Sequence, residues 1–257
     1  DGNEQGAGGM LNPKTYQEAV KLERALLRGT DNGRTVLRVV LAGNANLDFI
    51  KPAVRIGLAA EGFEVVLRSS AFGNWISETF DEPEAARDDI WVVWMSGMGA
   101  SRGMTERPDI DIASIAAAAQ RLVDRGVKVV LIHPEPLLAE DDPFSPFVNW
   151  RRGIADKLSA TLPSAVVQLS VEHIVRRIGT RSWVATRYWE QAKAPCHPDA
   201  ATAVGLELAS VVARLMRPAV RAVVVDLDDT MWGGLVGEVG PVGLDLDPDG
   251  IGRPFIE

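Results

Sequence analysis

The sequence predicts an α/β fold: a three-layer, doubly wound parallel sheet, followed by the truncated start of a second α/β domain. Three observations predict it. Short β-rich runs alternate with helical patterns through residues 30–217. Those runs are almost continuously apolar, as parallel strands covered on both faces must be. A fresh β-branched run then starts at Arg221, just after a long helical stretch that Pro218 closes.

Taken in order, residues 1–12 are Gly-rich and polar and read as a disordered tail. In residues 13–29, Tyr16, Ala19, Val20, Leu22, Ala25, Leu26 and Leu27 recur at helical spacing, with Gly29 as a stop. The turn-rich Thr30-Asp31-Asn32-Gly33 separates this N-terminal helix from the domain that follows. Strands are expected over residues 36–42, 64–68, 90–95, 127–133 and 165–169. Helices are expected over 51–61, 112–124, 149–162 and 171–178, with Gly62 and Gly126 where helix stops belong, and a last helix over Pro198–Met216. Repeated βα units of this kind build a parallel sheet with helices on both faces. A new strand is then expected to open residues 218–257.

Composition excludes several classes. The chain has 257 residues, 46% hydrophobic and 24% charged, which is globular composition with enough chain for a core. A net charge of -8 without a clustered basic run argues against nucleic acid as a partner. No apolar run reaches spanning length and no signal core opens the chain, so no membrane is expected and the location reads as cytoplasmic. Cys196 is the single cysteine and reads as a packed thiol, while the three histidines stand at no zinc-ligand spacing.

Ligands of open α/β sheets bind where loops leave the carboxyl ends of strands. Here those loops carry Gly43-Asn44-Ala45-Asn46, Ala71-Phe72-Gly73-Asn74, Ser96-Gly97-Met98-Gly99 and His133-Pro134-Glu135. Their small residues and carboxamides could gather donors as an oxyanion or acyl site requires. Gly and Asn are also ordinary turn residues, and both readings stand at this point. The layout resembles an SGNH-type hydrolase domain, with Asn44 at the place of the nucleophilic serine, Gly73 in the second loop, and His197-Pro198-Asp199 before the last helix. Ala194 stands where that family carries an acid, three residues before His197. The resemblance therefore implies an SGNH-like fold, with Asn44, Gly73 and His197 as substrate-binding positions, and hydrolase activity lost with the serine. Ser96 or Ser101 in the third loop would be the remaining hydroxyls there. His133 is expected at the pocket, His173 in a structural role.

The sharpest motif is Ala222-Val223-Val224-Val225-Asp226-Leu227-Asp228-Asp229-Thr230, followed by Met231-Trp232-Gly233-Gly234. A β-branched strand delivers two carboxylates, spaced by two, into the loop after it. The first can attack a phosphoryl group and the second protonate the leaving oxygen, with a Mg²⁺ ion neutralising the charge between enzyme and phosphate. This string resembles motif one of haloacid-dehalogenase-type (HAD) phosphatases, which makes Asp226 nucleophile, Asp228 acid/base, both metal ligands, and Thr230 a substrate contact. Trp232 to Glu238, the stretch from Asp249 to Phe255, and Arg187-Tyr188-Trp189 upstream resemble the FkbH-like family, whose members join an SGNH-like domain to such a phosphatase domain.

That resemblance implies a glyceryl transferase/phosphatase. It would load a three-carbon unit from 1,3-bisphosphoglycerate, or a related phosphorylated three-carbon acid, onto an acyl carrier protein in polyketide-type biosynthesis. The downstream Ser or Thr, Lys and acidic residues of a HAD site lie past Glu257, so the activity is expected of a longer parent. Two other readings use the same residues. The SGNH-like domain, without its serine, could be a docking or substrate-positioning module whose rim arginines Arg102, Arg107, Arg151 and Arg152 meet a carrier protein. Alternatively it could be an esterase or acyltransferase that works through His197.

Overall fold

The computed structural model describes residues 12–29, 33–80, 88–97, 111–135, 146–218 and 236–240. The chain divides into two compact units, Asp1–Met216 and Arg217–Glu257. In the second, the described residues form a short helix at Val236–Val239. The strand expected at Arg221, the Asp226-to-Thr230 string, Ser101, Arg102 and Arg107 lie outside the described residues.

The first unit runs α1 (Tyr16–Leu26), β1 (Thr35–Gly43), a 3-10 turn (Asp48–Ile50), α2 (Lys51–Ala60), β2 (Phe63–Ser69) and α3 (Trp75–Glu78). It continues with β3 (Ile90–Trp94), α4 (Ile112–Asp124), β4 (Lys128–Ile132), α5 (Pro146–Thr161) and β5 (Val167–Leu169). Helices α6 (Glu172–Ile178), α7 (Thr180–Trp183), α8 (Thr186–Ala192) and α9 (Pro198–Met216) complete it. The strands form one all-parallel sheet in the order β2-β1-β3-β4-β5. The expected three-layer, doubly wound α/β architecture is present.

Period-two alternation along β1 sorts the core into two layers. Leu37, Val39 and Leu41 pack with Val54 and Leu58 of α2 and with Val204, Leu208 and Val212 of α9. Val40 and Ala42 face the other way, into a layer with Trp91, Val93, Ile115, Leu122 and Leu158. Every central strand is thus apolar on both faces, which is why the sequence shows runs rather than alternation. Helices α2 and α9 approach through small residues. A Cβ on Gly57 would lie 2.5 Å from the Ala209 Cβ, and one on Gly205 would lie 2.7 Å from the Ala53 Cβ and 2.8 Å from the Ile50 oxygen.

Several boundaries differ from the sequence expectation. Helix α5 starts at Pro146 rather than 149, and β5 starts at Val167 because Val166 turns back to donate to the Pro163 oxygen at 2.9 Å. The 3-10 turn and helices α3, α7 and α8 were not expected: the first three span only three or four residues, too few turns to show a period, and α8 buries none of its seven residues and so carries no apolar stripe. The N-terminal helix is not set apart by its turn. A capping box between Thr15 and Glu18 starts it, Ala19 is fully buried, and Glu23 holds Arg55 of α2 at 2.9 Å. The Tyr16 amide also donates to Asp199 Oδ1 of α9 at 2.7 Å.

Candidate functional site

The strand order reverses direction at β1, whose neighbours β2 and β3 lie on opposite sides. The crevice beyond the carboxyl ends of β1 and β3 is therefore the place where such sheets take ligands. Local sequence fixes how the chain enters it. Gly43 has φ +139°, and a Cβ there would lie 2.1 Å from the Trp94 carbonyl oxygen, so only glycine lets β1 end this close to β3. The Asn44 amide then donates to that same oxygen at 3.3 Å.

The Asn44 side chain bridges the ends of β1 and β3. Its Nδ2 donates to the Ser96 oxygen at 2.9 Å and its Oδ1 accepts from the Ser96 amide at 2.7 Å. A carboxamide has the one donor and one acceptor face needed to grip a peptide unit's N–H and C=O together. Next along the third loop, the Gly97 amide donates to Glu135 Oε2 at 2.6 Å, and Glu135 is buried. Cys196 lies close enough to feel that carboxylate. Burial first, and the Glu135 charge second, push its thiol well above the ordinary value, so it is an inert packed group.

The second loop meets the first. The Gly73 amide donates to the Gly43 oxygen at 3.3 Å, with Gly73 at φ +70°. Glu78 of α3 holds this loop in shape: its Oε1 accepts from the Ser70 hydroxyl at 2.6 Å and the Ala71 amide at 2.8 Å, and its Oε2 from Arg68 at 2.8 Å. Burial alone would raise the Glu78 carboxyl, but these hydrogen bonds outweigh it and hold it below the usual range. Between the two loops and residues 191–193 lies a cavity of about 480 Å³, lined among others by Gly43, Asn46, Asp48, Ser69, Phe72 and Lys193. Lys193 adopts φ +54°, the one non-glycine positive φ among the described residues, and its carbonyl accepts from the Asn46 amide at 2.9 Å.

His197 stands at the start of α9. Its amide donates to the Trp183 oxygen at 2.9 Å, and its ring meets Tyr188 edge-on at 5.5 Å. The ring's Nδ1 accepts from the Asp199 amide at 3.2 Å and lies 3.6 Å from Asp199 Oδ2. An amide donor and a carboxylate oxygen of Asp199 thus both lie at Nδ1. Ala194, three residues before His197, is buried; the carboxylate beside this histidine is Asp199, two residues on. The sequence motif His-Pro-Asp holds that signal, but its meaning depends on how the helix starts.

His133 is buried, and its Nε2 donates to Gln168 Oε1 at 2.8 Å while Nδ1 has no partner. Burial lowers its pKa, with the Gln168 bond opposing, so the ring is neutral at pH 7. His173 lies away from the strand ends, on α6, bonded to Glu207 of α9 at 2.6 Å. The structure thus brings Asn44 and Gly73 together with Ser96 at one edge. It places His197 at that edge's flank, reached through the Phe49 and Tyr188 rings, with no hydrogen bond between Asn44 and His197. Asp226, Asp228 and Thr230 lie outside the described residues. Among those described, no group of three or more His, Cys, Asp or Glu could hold a metal.

Comparison with known proteins fixes the fold but no family. No family model and no curated protein matches the sequence. Solved structures do. The N-terminal part of the protein BF1531 from Bacteroides fragilis, described as containing a phosphatase domain complexed with Mg, matches with TM-score 0.58 and 15% identity over 94% of this chain and 68% of that one. A lipase/acylhydrolase from Enterococcus faecalis matches with TM-score 0.46 and 15% identity over 71% of this chain and 98% of that one. Also found is the acetyl xylan esterase AlAXEase, with TM-score 0.45 and 14% identity, covering 68% of this chain and 100% of that one. The likeness to the first is one of fold. No described helix is long and apolar enough to cross a membrane.

Proposed function

We propose that this chain is the N-terminal part of a HAD-type phosphatase, in which an SGNH-like unit that has no nucleophile positions substrate for a phosphoryl-transfer domain. The observation that carries it is the Asn44 carboxamide. Both its polar atoms bond to the Ser96 backbone and a carboxamide is not a nucleophile, so the residue at the nucleophile position has no reactive group for acyl chemistry. The Asp226-x-Asp228-x-Thr230 string in the sequence supports the phosphatase side. So does the shared fold with a protein whose description includes a phosphatase domain and Mg, over 94% of this chain.

In the finer form of the proposal, the FkbH-like one, the substrate is 1,3-bisphosphoglycerate or a related phosphorylated three-carbon acid and the acceptor is an acyl carrier protein. Asp226 would attack the phosphoryl group, Asp228 would protonate the leaving oxygen, and Thr230 would contact the substrate. Mg²⁺, held by Asp226 and Asp228, would supply charge neutralisation at the phosphate.

The test is intact-protein mass spectrometry of a holo acyl carrier protein incubated with 1,3-bisphosphoglycerate, Mg²⁺ and the protein extended past Glu257. Glyceryl loading that disappears in Asp226→Asn is expected. Loading that persists in Asp226→Asn would overturn the assignment of the nucleophile, and no loading by the extended protein would overturn the substrate and acceptor.

A further inference from the structure

Lys21, Arg24 and Arg28 follow one another at spacings of three and four along α1 and its C-terminal turn, the spacing that puts helix residues side by side. All three are exposed, and with Tyr16, Gln17 and Val20 they line a shallow groove of about 500 Å³. The opposite side of this helix is already occupied: Ala19 is buried there and Glu23 is bonded to Arg55 of α2.

None of the three cations has an ion-pair partner among the described residues. The helix's own carboxylates are committed elsewhere, Glu23 to Arg55, and Glu18 Oε2 to the amides of Lys14 and Thr15 at 2.8 and 3.3 Å. Like charges three and four apart repel, so this row opposes the helix that carries it. The helix dipole favours cations in the last turn, which accounts for Arg24 and Arg28 but not for Lys21. The excess is also local, since the chain as a whole carries -8.

We infer that this face of α1 docks an acidic α-helix of a partner protein, whose carboxylates at matching spacing pair with Lys21, Arg24 and Arg28. Opposite charge in register steers such an encounter and fixes its orientation. Three cations fall short of the roughly six to ten phosphate contacts of a nucleic-acid site. The apolar residues that line the groove, Val20, Ala25 and the Tyr16 ring, form a much smaller surface than the continuous apolar face that seats a helix in a bilayer interface. The partner's identity rests on the function proposed above, in which the acidic protein is the acyl carrier protein.

The test uses the full-length protein and a purified holo acyl carrier protein with an acidic helix, with binding read by fluorescence anisotropy and loading by mass spectrometry. Circular dichroism checks that K21E/R24E/R28E is folded. The variant is expected to weaken binding by up to about thirtyfold, roughly threefold per exposed pair. It should raise KM for the carrier and leave kcat unchanged, and a carrier with its acidic helix residues changed to Lys should restore binding to it. Loading with an unchanged KM would overturn the docking face and leave the proposed function standing. Charge-dependent binding without loading by the wild type would overturn the proposed function and leave the docking face. Binding to phosphatidylserine vesicles that the variant loses, with carrier binding unchanged, would overturn the inference in favour of a membrane surface.

Discussion

The carboxamide of Asn44 grips the Ser96 peptide group from both sides, accepting from its N–H at 2.7 Å and donating to its C=O at 2.9 Å. The bond pair spans 52 residues and ties the ends of β1 and β3 together at the point where the sheet changes direction. Its chemistry asks for an amide. Serine is too short and single-pronged to replace it, and a carboxylate has no donor for the carbonyl.

Replacing Asn44 therefore acts on stability before it acts on any chemistry. Asn44→Ala should cost about 1–3 kcal/mol through two lost, partly buried hydrogen bonds. Asn44→Asp should cost at least as much, because it sets a charged oxygen against the Ser96 carbonyl. Urea denaturation of the three proteins checks this; equal midpoints would show the clamp to be energetically idle.

Glycine at 43 should be irreplaceable. The Cβ of Gly43→Ala would sit 2.1 Å from a backbone oxygen, at a φ of +139° that side chains rarely adopt. Overpacking plus backbone strain should cost about 3 kcal/mol. A thermal melt of the variant within a degree of wild type would contradict the close approach of β1 to β3.

At the crossing of α2 and α9 the sign of a substitution is informative. Gly to Ala inside an exposed helix stabilises by roughly 1 kcal/mol. Gly205→Ala should instead destabilise by about 1–3 kcal/mol, since its methyl meets Ala53 at 2.7 Å and the Ile50 carbonyl at 2.8 Å. A gain in denaturation midpoint would mean that the helices sit further apart.

Two depressed pKa values set the response to acid. His133 is held neutral by burial, so below its ordinary value near 6.5 the unfolded chain binds a proton that the folded chain does not. Stability should be complete above that pH and fall as pH drops through the lower folded value. Glu78 adds a second loss below its ordinary value of 4.5, as protonation weakens its grip on Ser70, Ala71 and Arg68. Denaturation measured from pH 8 to 5 should show the first slope in wild type and not in His133→Gln; parallel slopes would remove His133 as its source.

How much of this the sequence revealed depends on how local each feature is. Helix α9 was read residue for residue because a nineteen-residue apolar period bounded by prolines is a strong local signal. The strands were legible as apolar runs. Helices α7 and α8 were missed because four residues show no period and α8 has no buried face, yet they place Trp183 and Tyr188 around His197. Asn44 stands out in the sequence by its place in the loop after the first strand. Its use could not be read, because that needs Ser96 as a neighbour.

Sequence by itself determined the alternation of elements, the burial of the sheet on both faces, the glycines at the strand ends and the Asp226-x-Asp228 string, since each follows from residue type and short-range spacing. Tertiary structure alone decided the strand order β2-β1-β3-β4-β5, and with it the pairing of Asn44 with Ser96, of Gly73 with Gly43, and of Tyr16 with Asp199 across 183 residues. Those contacts join segments that carry no mark of one another, and only closing the sheet and packing α1 and α9 on it bring their donors and acceptors within reach.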